Sequence, residues 1–81
     1  MMSEKDITTM RTLLSEAFPN HNETEREAIL NDLMNRFSNP IPFCMLNGSH
    51  IARIGVRYDL GNNVKGSYYY VTEFDNEFLD L

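Results

Sequence analysis

The chain has 81 residues and a formal net charge of −5, from 12 acidic and 7 basic side chains. A chain of this length is expected to form a single domain, residues 1–81, and to commit most of its apolar residues to one core. The acidic total argues against non-specific binding to nucleic acid or to an anionic membrane.

The first half of the sequence predicts two amphipathic helices, at about 4–18 and about 24–38. Apolar residues recur at three- and four-residue steps in both, as Ile7, Met10, Leu13, Leu14, Ala17 and Phe18, and then Ile29, Leu30, Leu33, Met34 and Phe37. Pro19 ends the first helix, and Thr24 opens a capping-box pattern for the second. The short link between them predicts an antiparallel helical hairpin.

The second half of the sequence changes to the two-residue period of strands. Strands are predicted at about 41–46, 49–58 and 67–74, followed by an acidic tail, 75–81. Asn47-Gly48 is a strong signal for a two-residue hairpin turn. The predicted fold is therefore α+β (ααβββ), with the helical hairpin packed on a three-stranded antiparallel β-meander.

The Asn-Gly turn places the residues of the first hairpin on faces. It would pair Leu46 with Ser49 and Phe43 with Ala52. One face, expected to receive the helices, would then hold Ile41, Phe43, Met45, Ala52, Ile54, Val56 and Tyr58. Pro42 cannot donate a backbone hydrogen bond, which predicts that the first strand is an edge.

The second hairpin is open to two registers, because its loop, "DLGNNVKG", is expected to be long. In one register Arg57 opposes Tyr68 and Gly55 opposes Tyr70, so both tyrosines lie on the face away from the helices. In the register shifted by one residue, Tyr68, Tyr70 and Phe74 join the core and Arg53 opposes Glu73. A slip of one residue reverses every side chain of a strand.

Four residues form the first candidate binding surface, Arg53, Arg57, Tyr68 and Tyr70. In the first register they make a mixed aromatic and guanidinium patch on the open sheet face. Tyr and Arg are enriched at protein interfaces, and aromatic sheets also stack single-stranded bases. The alternative interpretation is ordinary cross-strand packing of Arg on Tyr.

The third strand is predicted to be the other edge of the sheet, and an edge either accepts another strand or must be covered. Glu73, Phe74, Asp75 and Phe78 beside this edge complete the set of candidate partner-binding residues. The tail either docks on the domain or extends to a basic partner. Pairing of two third strands would give a homodimer.

The sequence shows no pattern that indicates catalysis, a cofactor or a metal. Cys44 and His50 are the one conceivable nucleophile and base, and the predicted turn puts them on opposite faces of the sheet. The single cysteine excludes an intrachain disulfide, and His21, His50 and Cys44 each stand apart rather than at zinc-site spacing. Catalytic, cofactor and metal residues are accordingly predicted to be absent.

These observations favour a small acidic protein-binding module that is not an enzyme, such as a phage or mobile-element inhibitor of a host enzyme or defence complex. The expected partner is a protein with a basic surface. A single-stranded nucleic-acid-binding sheet is the alternative, and a housekeeping adaptor or motif-free small enzyme is third. No signal peptide and no membrane span are expected, and the predicted location is cytoplasmic.

Overall fold

The computed structural model of the protein describes residues 1–75. Its elements, in chain order, are the helices α1 (Glu4–Ala17) and α2 (Glu23–Asn35) and the strands β1 (Ile41–Asn47), β2 (His50–Gly61) and β3 (Val64–Val71). The strands form one antiparallel sheet in the order β1-β2-β3. The predicted α+β fold, with the helices followed by a meander, is confirmed.

Each helix begins at a side-chain cap. Ser3 caps α1, and its hydroxyl accepts a hydrogen bond from the Asp6 amide at 3.2 Å. Asn22 caps α2 in a reciprocal capping box with Glu25, with hydrogen bonds of 2.8 and 2.9 Å. The capping box therefore lies two residues before the predicted one at Thr24, because the Asn22 side chain supplies the acceptor.

The second helix ends at Asn35, earlier than predicted, and Phe37 leaves it toward the sheet. The ring of Phe37 stacks on that of Tyr58 at a centroid distance of 3.7 Å, and it meets Tyr68 edge-on at 5.6 Å. Phe37 was predicted to belong to the apolar stripe of α2. It instead packs on the sheet from the connection to β1, because the helix stops before reaching it.

The core lies between the helices and one face of the sheet. Its buried members are Met2, Met10, Leu14, Ala17, Phe18, Leu30, Leu33, Ile51, Ile54 and Val56. Both helices therefore cover the same face, and no helix formed by residues 1–75 lies on the opposite face of the sheet. Within residues 1–75, neither helix is long and apolar enough to cross a membrane.

The turn of the β1–β2 hairpin lies one residue later than predicted, and the hairpin contains a bulge. Asn47 pairs with His50, so Gly48, with a φ of 63°, and Ser49 form the turn. The register then shifts between Met45 and Leu46, because β2 contains one extra residue there. Pro42 lies in an edge strand, as predicted.

Because of the bulge, the side chains of β1 that were predicted to face the helices lie on the opposite side of the sheet. Beyond the bulge Cys44 lies opposite Ile54, whereas Phe43 lies opposite Gly55. Cys44 packs against the core. The prediction that Ile41, Phe43 and Met45 share the helix-covered face with Ile54 and Val56 is wrong, because one extra residue moves each side chain to the other face.

The strands of the β2–β3 hairpin are joined by a two-residue turn, so the prediction of a long loop is wrong. Asn62 and Asn63 form its turn with φ values of 52° and 63°, in the left-handed region that asparagine tolerates. Most of "DLGNNVKG" therefore extends the two strands, with a register shift between Asp59 and Gly61.

Neither predicted register of this hairpin occurs. Gly55 lies opposite Tyr69, Ile54 opposite Tyr70, and Val56 opposite Tyr68. Tyr68 and Tyr70 therefore face the helices, as the second predicted register had them, although their partners differ. Tyr69 alone of the three tyrosines lies on the face that the helices leave open.

A side chain at position 55 would break the β2–β3 pairing. A Cβ added to Gly55 would lie 2.0 Å from the backbone oxygen of Tyr68 and 2.5 Å from Tyr69 Cα, so the strands would have to separate. We expect Gly55→Ala to lower the free energy of unfolding by at least about 3 kcal/mol, measured by urea denaturation.

Gly48→Ala is the matched control for this substitution. Nothing lies within 4 Å of a Cβ at Gly48, and only its positive φ of 63° penalises a side chain. The expected loss is about 1–2 kcal/mol. An equal or smaller loss for Gly55→Ala would contradict the close strand approach.

Candidate interaction surface

The open face of the sheet is lined by all three strands. Residues directly opposite each other in the ladders share a face, and the alternate rows pack in the core. We call this surface the open face, and its residues are Ile41, Phe43, Met45, Arg53, Gly55, Arg57, Ser67, Tyr69 and Val71.

Two aromatic rings lie at the centre of the open face. Phe43 and Tyr69 flank Gly55 from the two edge strands, with ring centroids 6.4 Å apart. The guanidinium of Arg57 lies 4.8 Å from the Phe43 ring centroid, and that of Arg53 lies 5.3 Å from the Tyr69 centroid. Each ring therefore carries a cation at cation–π distance.

Apolar side chains around these rings are exposed. The exposed fractions are 61% for Ile41, 43% for Met45, 40% for Tyr69 and 58% for Val71. Single exposed apolar residues are common, but these share one face with two aromatic rings. A contiguous patch of this kind is typical of an interaction site.

The predicted binding residues are divided between the two faces of the sheet. Arg53 and Arg57 lie on the open face, while Tyr68 and Tyr70 lie beneath the helices. The predicted four-residue patch does not form. Phe43 and Tyr69 take the places beside the arginines, because the bulge turns Phe43 outward and the register turns Tyr69 outward.

The helix-covered tyrosines bind one carboxylate of α2. The Tyr68 and Tyr70 hydroxyls donate to Asp32 Oδ2 at 2.8 and 2.6 Å. Arg36 donates to Asp32 Oδ1 at 2.8 Å, and its guanidinium lies 4.5 Å from the Tyr68 ring centroid. This cluster ties α2 to β3 through the ends of long side chains.

The pKa values in the cluster follow from these contacts. The hydrogen bond from Tyr70 is the main cause that holds the pKa of Asp32 below its usual range, with Tyr68 and Arg36 adding to it and partial burial opposing it. Partial burial, followed by the bond to Asp32, raises the pKa of Tyr70. The ionised carboxylate and the neutral phenol are therefore the favoured pair.

The residues after β3 return across the end of the sheet. Glu73 accepts a hydrogen bond from Asn20 at 3.0 Å, and the Phe74 ring stacks on His50 at 4.3 Å. Asp75 binds Arg53 at 2.8 Å. Three predicted partner-binding residues thus make contacts within the domain, and the fourth, Phe78, lies outside the described residues.

A cleft beside the β1–β2 turn brings together polar groups that could suggest catalysis. Its volume is about 420 Å³, and it is lined by Glu16, Pro19, Ser49, His50, Ile51 and Phe74. No hydrogen bond joins Ser49, His50 and Glu16 in the part of the chain that the structure describes. A nucleophile–base pair is recognised by such a hydrogen bond, and residues 1–75 show none in this cleft.

Metal-binding residues are also not brought together. Cys44 is a free thiol that packs against the core, and His50 lies against Phe74. Over residues 1–75, no three histidine, cysteine or carboxylate side chains come close enough to hold an ion.

Known proteins add no functional information to this geometry. No family model, curated protein or solved structure that was compared with the chain gave a match. The interpretation of the open face therefore depends on the contacts, exposure and charges of this chain.

The cluster of Asp32, Arg36, Tyr68 and Tyr70 is expected to contribute to the stability of the fold. Removing the Tyr70 hydroxyl with Tyr70→Phe deletes a hydrogen bond to a charged group, so we expect a loss of about 1.5 kcal/mol in the free energy of unfolding. Tyr69→Phe is the control, since no hydrogen bond of its hydroxyl is found among the described residues, and its effect should stay within about 0.5 kcal/mol. Equal losses would contradict the cluster.

The same cluster makes the stability depend on pH. The pKa of Asp32 is lowered in the folded state, so its contribution is complete above the unfolded pKa of about 3.9 and is lost as the pH falls through the folded pKa. The unfolding free energy of Asp32→Asn, measured between neutral and strongly acidic pH, should therefore fall less on acidification than that of the wild type. Identical acid dependence would contradict this assignment.

Proposed function

We propose that the chain is a small non-enzymatic protein-binding domain that holds its partner on the open face of the sheet. The observation that carries this proposal is the pair of half-buried Phe43 and exposed Tyr69 on the face without a helix from residues 1–75, with exposed Ile41, Met45 and Val71 around the two rings. Apolar surface of this kind is stabilised when a partner removes it from water.

The composition of the open face suits protein recognition. Aromatic residues, methionine and arginine are enriched at the centres of interfaces, and tyrosine and arginine are frequent among the residues that dominate binding energy. The contact between the Arg57 guanidinium and the Phe43 ring, at 4.8 Å, favours the rotamers that keep the two side chains together before a partner binds. Less side-chain freedom is then lost on binding, which supports a higher affinity for the same contact area.

The acids of α2 are a weaker candidate for the contact surface. Glu23 binds Arg26 at 2.6 Å, Glu27 binds Arg11 at 3.0 Å, and Glu25 forms the capping box. These carboxylates already form ion pairs with arginines or accept a hydrogen bond from a backbone amide within the domain. A basic partner would have to displace these groups in order to bind the carboxylates. The predicted partner with a basic surface stays a prediction, and the open face is the proposed site.

A protein-binding domain of this size can act on a partner by occupying part of the partner's surface. Occlusion of this kind is how an inhibitor of a host enzyme or defence complex works, whether a phage or a mobile element supplies it. We include inhibition in the proposal as the mode of action that a compact binding domain makes available.

The proposal predicts that a variant of the open face loses its partner while it stays folded. In Tyr69→Ser/Val71→Ser both changes remove apolar contact area from exposed side chains, so partner affinity should fall at least about tenfold, or 1.4 kcal/mol. The partner is recovered from cells of the native source with the wild-type domain, identified by mass spectrometry, purified, and titrated calorimetrically against each variant.

Leu60→Ser/Val64→Ser is the matched control. These side chains, at the other end of the β2–β3 hairpin, are 62% and 52% exposed, so the loss of apolar surface is similar. Circular dichroism melts establish that both variants are folded. Equal affinities for the two variants would refute the open face as the binding site, and Phe78→Ala tests the predicted contribution of that residue.

A further inference from the structure

Arg57 is the arginine of the open face that forms no ion pair with any carboxylate among residues 1–75. The other four arginines each bind a carboxylate, in the pairs Arg11–Glu27, Arg26–Glu23, Arg36–Asp32 and Arg53–Asp75. Arg57 is exposed, rests on the Phe43 ring, and makes no ion pair or hydrogen bond with any residue in the described range 1–75. Its guanidinium donors therefore remain available to a ligand.

A small cleft lies beside Arg57 at the edge of the open face. Its volume is about 130 Å³, and it is lined by Asn39, Ile41, Arg57, Tyr58, Asp59 and Lys65. Ligand pockets for drug-sized molecules measure about 300–1,000 Å³, so this cleft suits a single side chain better than a cofactor.

The charges around the cleft do not cancel. Asp59 forms an ion pair with Lys65, which leaves the guanidinium of Arg57 as the excess charge. Ile41 and Tyr58 supply apolar wall, so the site is less solvated than bulk water. Both features favour an anionic group that can also contact apolar surface.

We propose that this cleft binds a carboxylate of the protein partner, from an acidic side chain or a chain terminus, while neighbouring apolar side chains of the partner cover Phe43 and Tyr69. The inference rests on the proposed function and assigns the partner's chemistry: an apolar segment flanked by acids. A carboxylate matches the planar fork of a guanidinium, and two parallel hydrogen bonds fix its orientation.

A second copy of the chain is a poorer occupant of the open face. In a two-fold contact centred on Gly55, Arg57 of one copy would approach Arg53 or Arg57 of the other, depending on the strand directions. In the arrangement that places Arg57 over Arg57, two guanidinium groups of like charge would be brought together, whereas Arg53 already binds Asp75. Repulsion of this kind disfavours self-association through this face and favours a partner that carries carboxylates.

A nucleic acid is also disfavoured at this site. Asp59 lies in the cleft, and Asp75 lies against Arg53 on the same face. A polyphosphate chain would meet these carboxylates along its length, whereas a single carboxylate can approach Arg57 alone.

Charge reversal at Arg57 tests the proposal with synthetic probes. One fluorescent octapeptide alternates glutamate with phenylalanine and leucine, and its counterpart has lysine in place of glutamate. The wild-type protein should bind the acidic peptide at least about tenfold more tightly by fluorescence anisotropy, and added salt should weaken that binding. Arg57→Glu should reverse the preference.

Lys5→Glu is the control, because it makes the same change of net charge on exposed α1, across the sheet from the open face. It should leave the preference for the acidic peptide unchanged. The proposal is overturned if Arg57→Glu behaves like Lys5→Glu, if the acidic peptide fails to bind at about 1 mM, or if a single-stranded thymidine oligonucleotide binds more tightly.

The same variants separate this inference from the proposed function. With the purified partner, loss of affinity in both Arg57→Glu and Tyr69→Ser/Val71→Ser supports the carboxylate site. Loss in Tyr69→Ser/Val71→Ser alone leaves the open face as the binding site and overturns the carboxylate site. No loss in either variant overturns both.

Discussion

The extra residue of β2 at the β1–β2 bulge is the constraint on which the rest of the structure depends. It sets which side of β1 meets the helices, because every side chain beyond it is carried to the opposite face. Cys44 joins the core and Phe43 turns outward as a consequence. Without the bulge, the apolar row of β1 would be covered, and the open face would lose one of its two central rings.

Asp32 has a complementary role on the covered face. Its carboxylate binds the hydroxyls of Tyr68 and Tyr70, so two large polar-tipped side chains are accommodated under α2 without an unpaired donor. Tyr69, between them in sequence, is directed to the open face by the alternation of β3. Three consecutive tyrosines thus serve two purposes: two attach a helix to the sheet, and one supplies contact surface.

The arginines, like the three tyrosines, are divided between contacts within the domain and the open face. The arginines of the helices and Arg53 bind carboxylates within the domain, so most of the chain's cations are used to hold its own elements. Arg57 is instead held over an aromatic ring at the edge of an apolar surface. Among residues 1–75 the guanidinium of Arg57 has no carboxylate partner, and for this reason we propose that the open face discriminates between partners by charge.

The sequence by itself determined the element types and their order, because helix caps, apolar periods and the proline in β1 are local signals. It also identified Arg53 and Arg57 as surface residues of the second strand. It could not place the bulge, the Asn62-Asn63 turn or the pairing of Tyr69 with Gly55, since each depends on which arrangement packs best under the helices. Strand register has a period of two, so a single residue decides between core and surface, and only the tertiary structure resolved that choice.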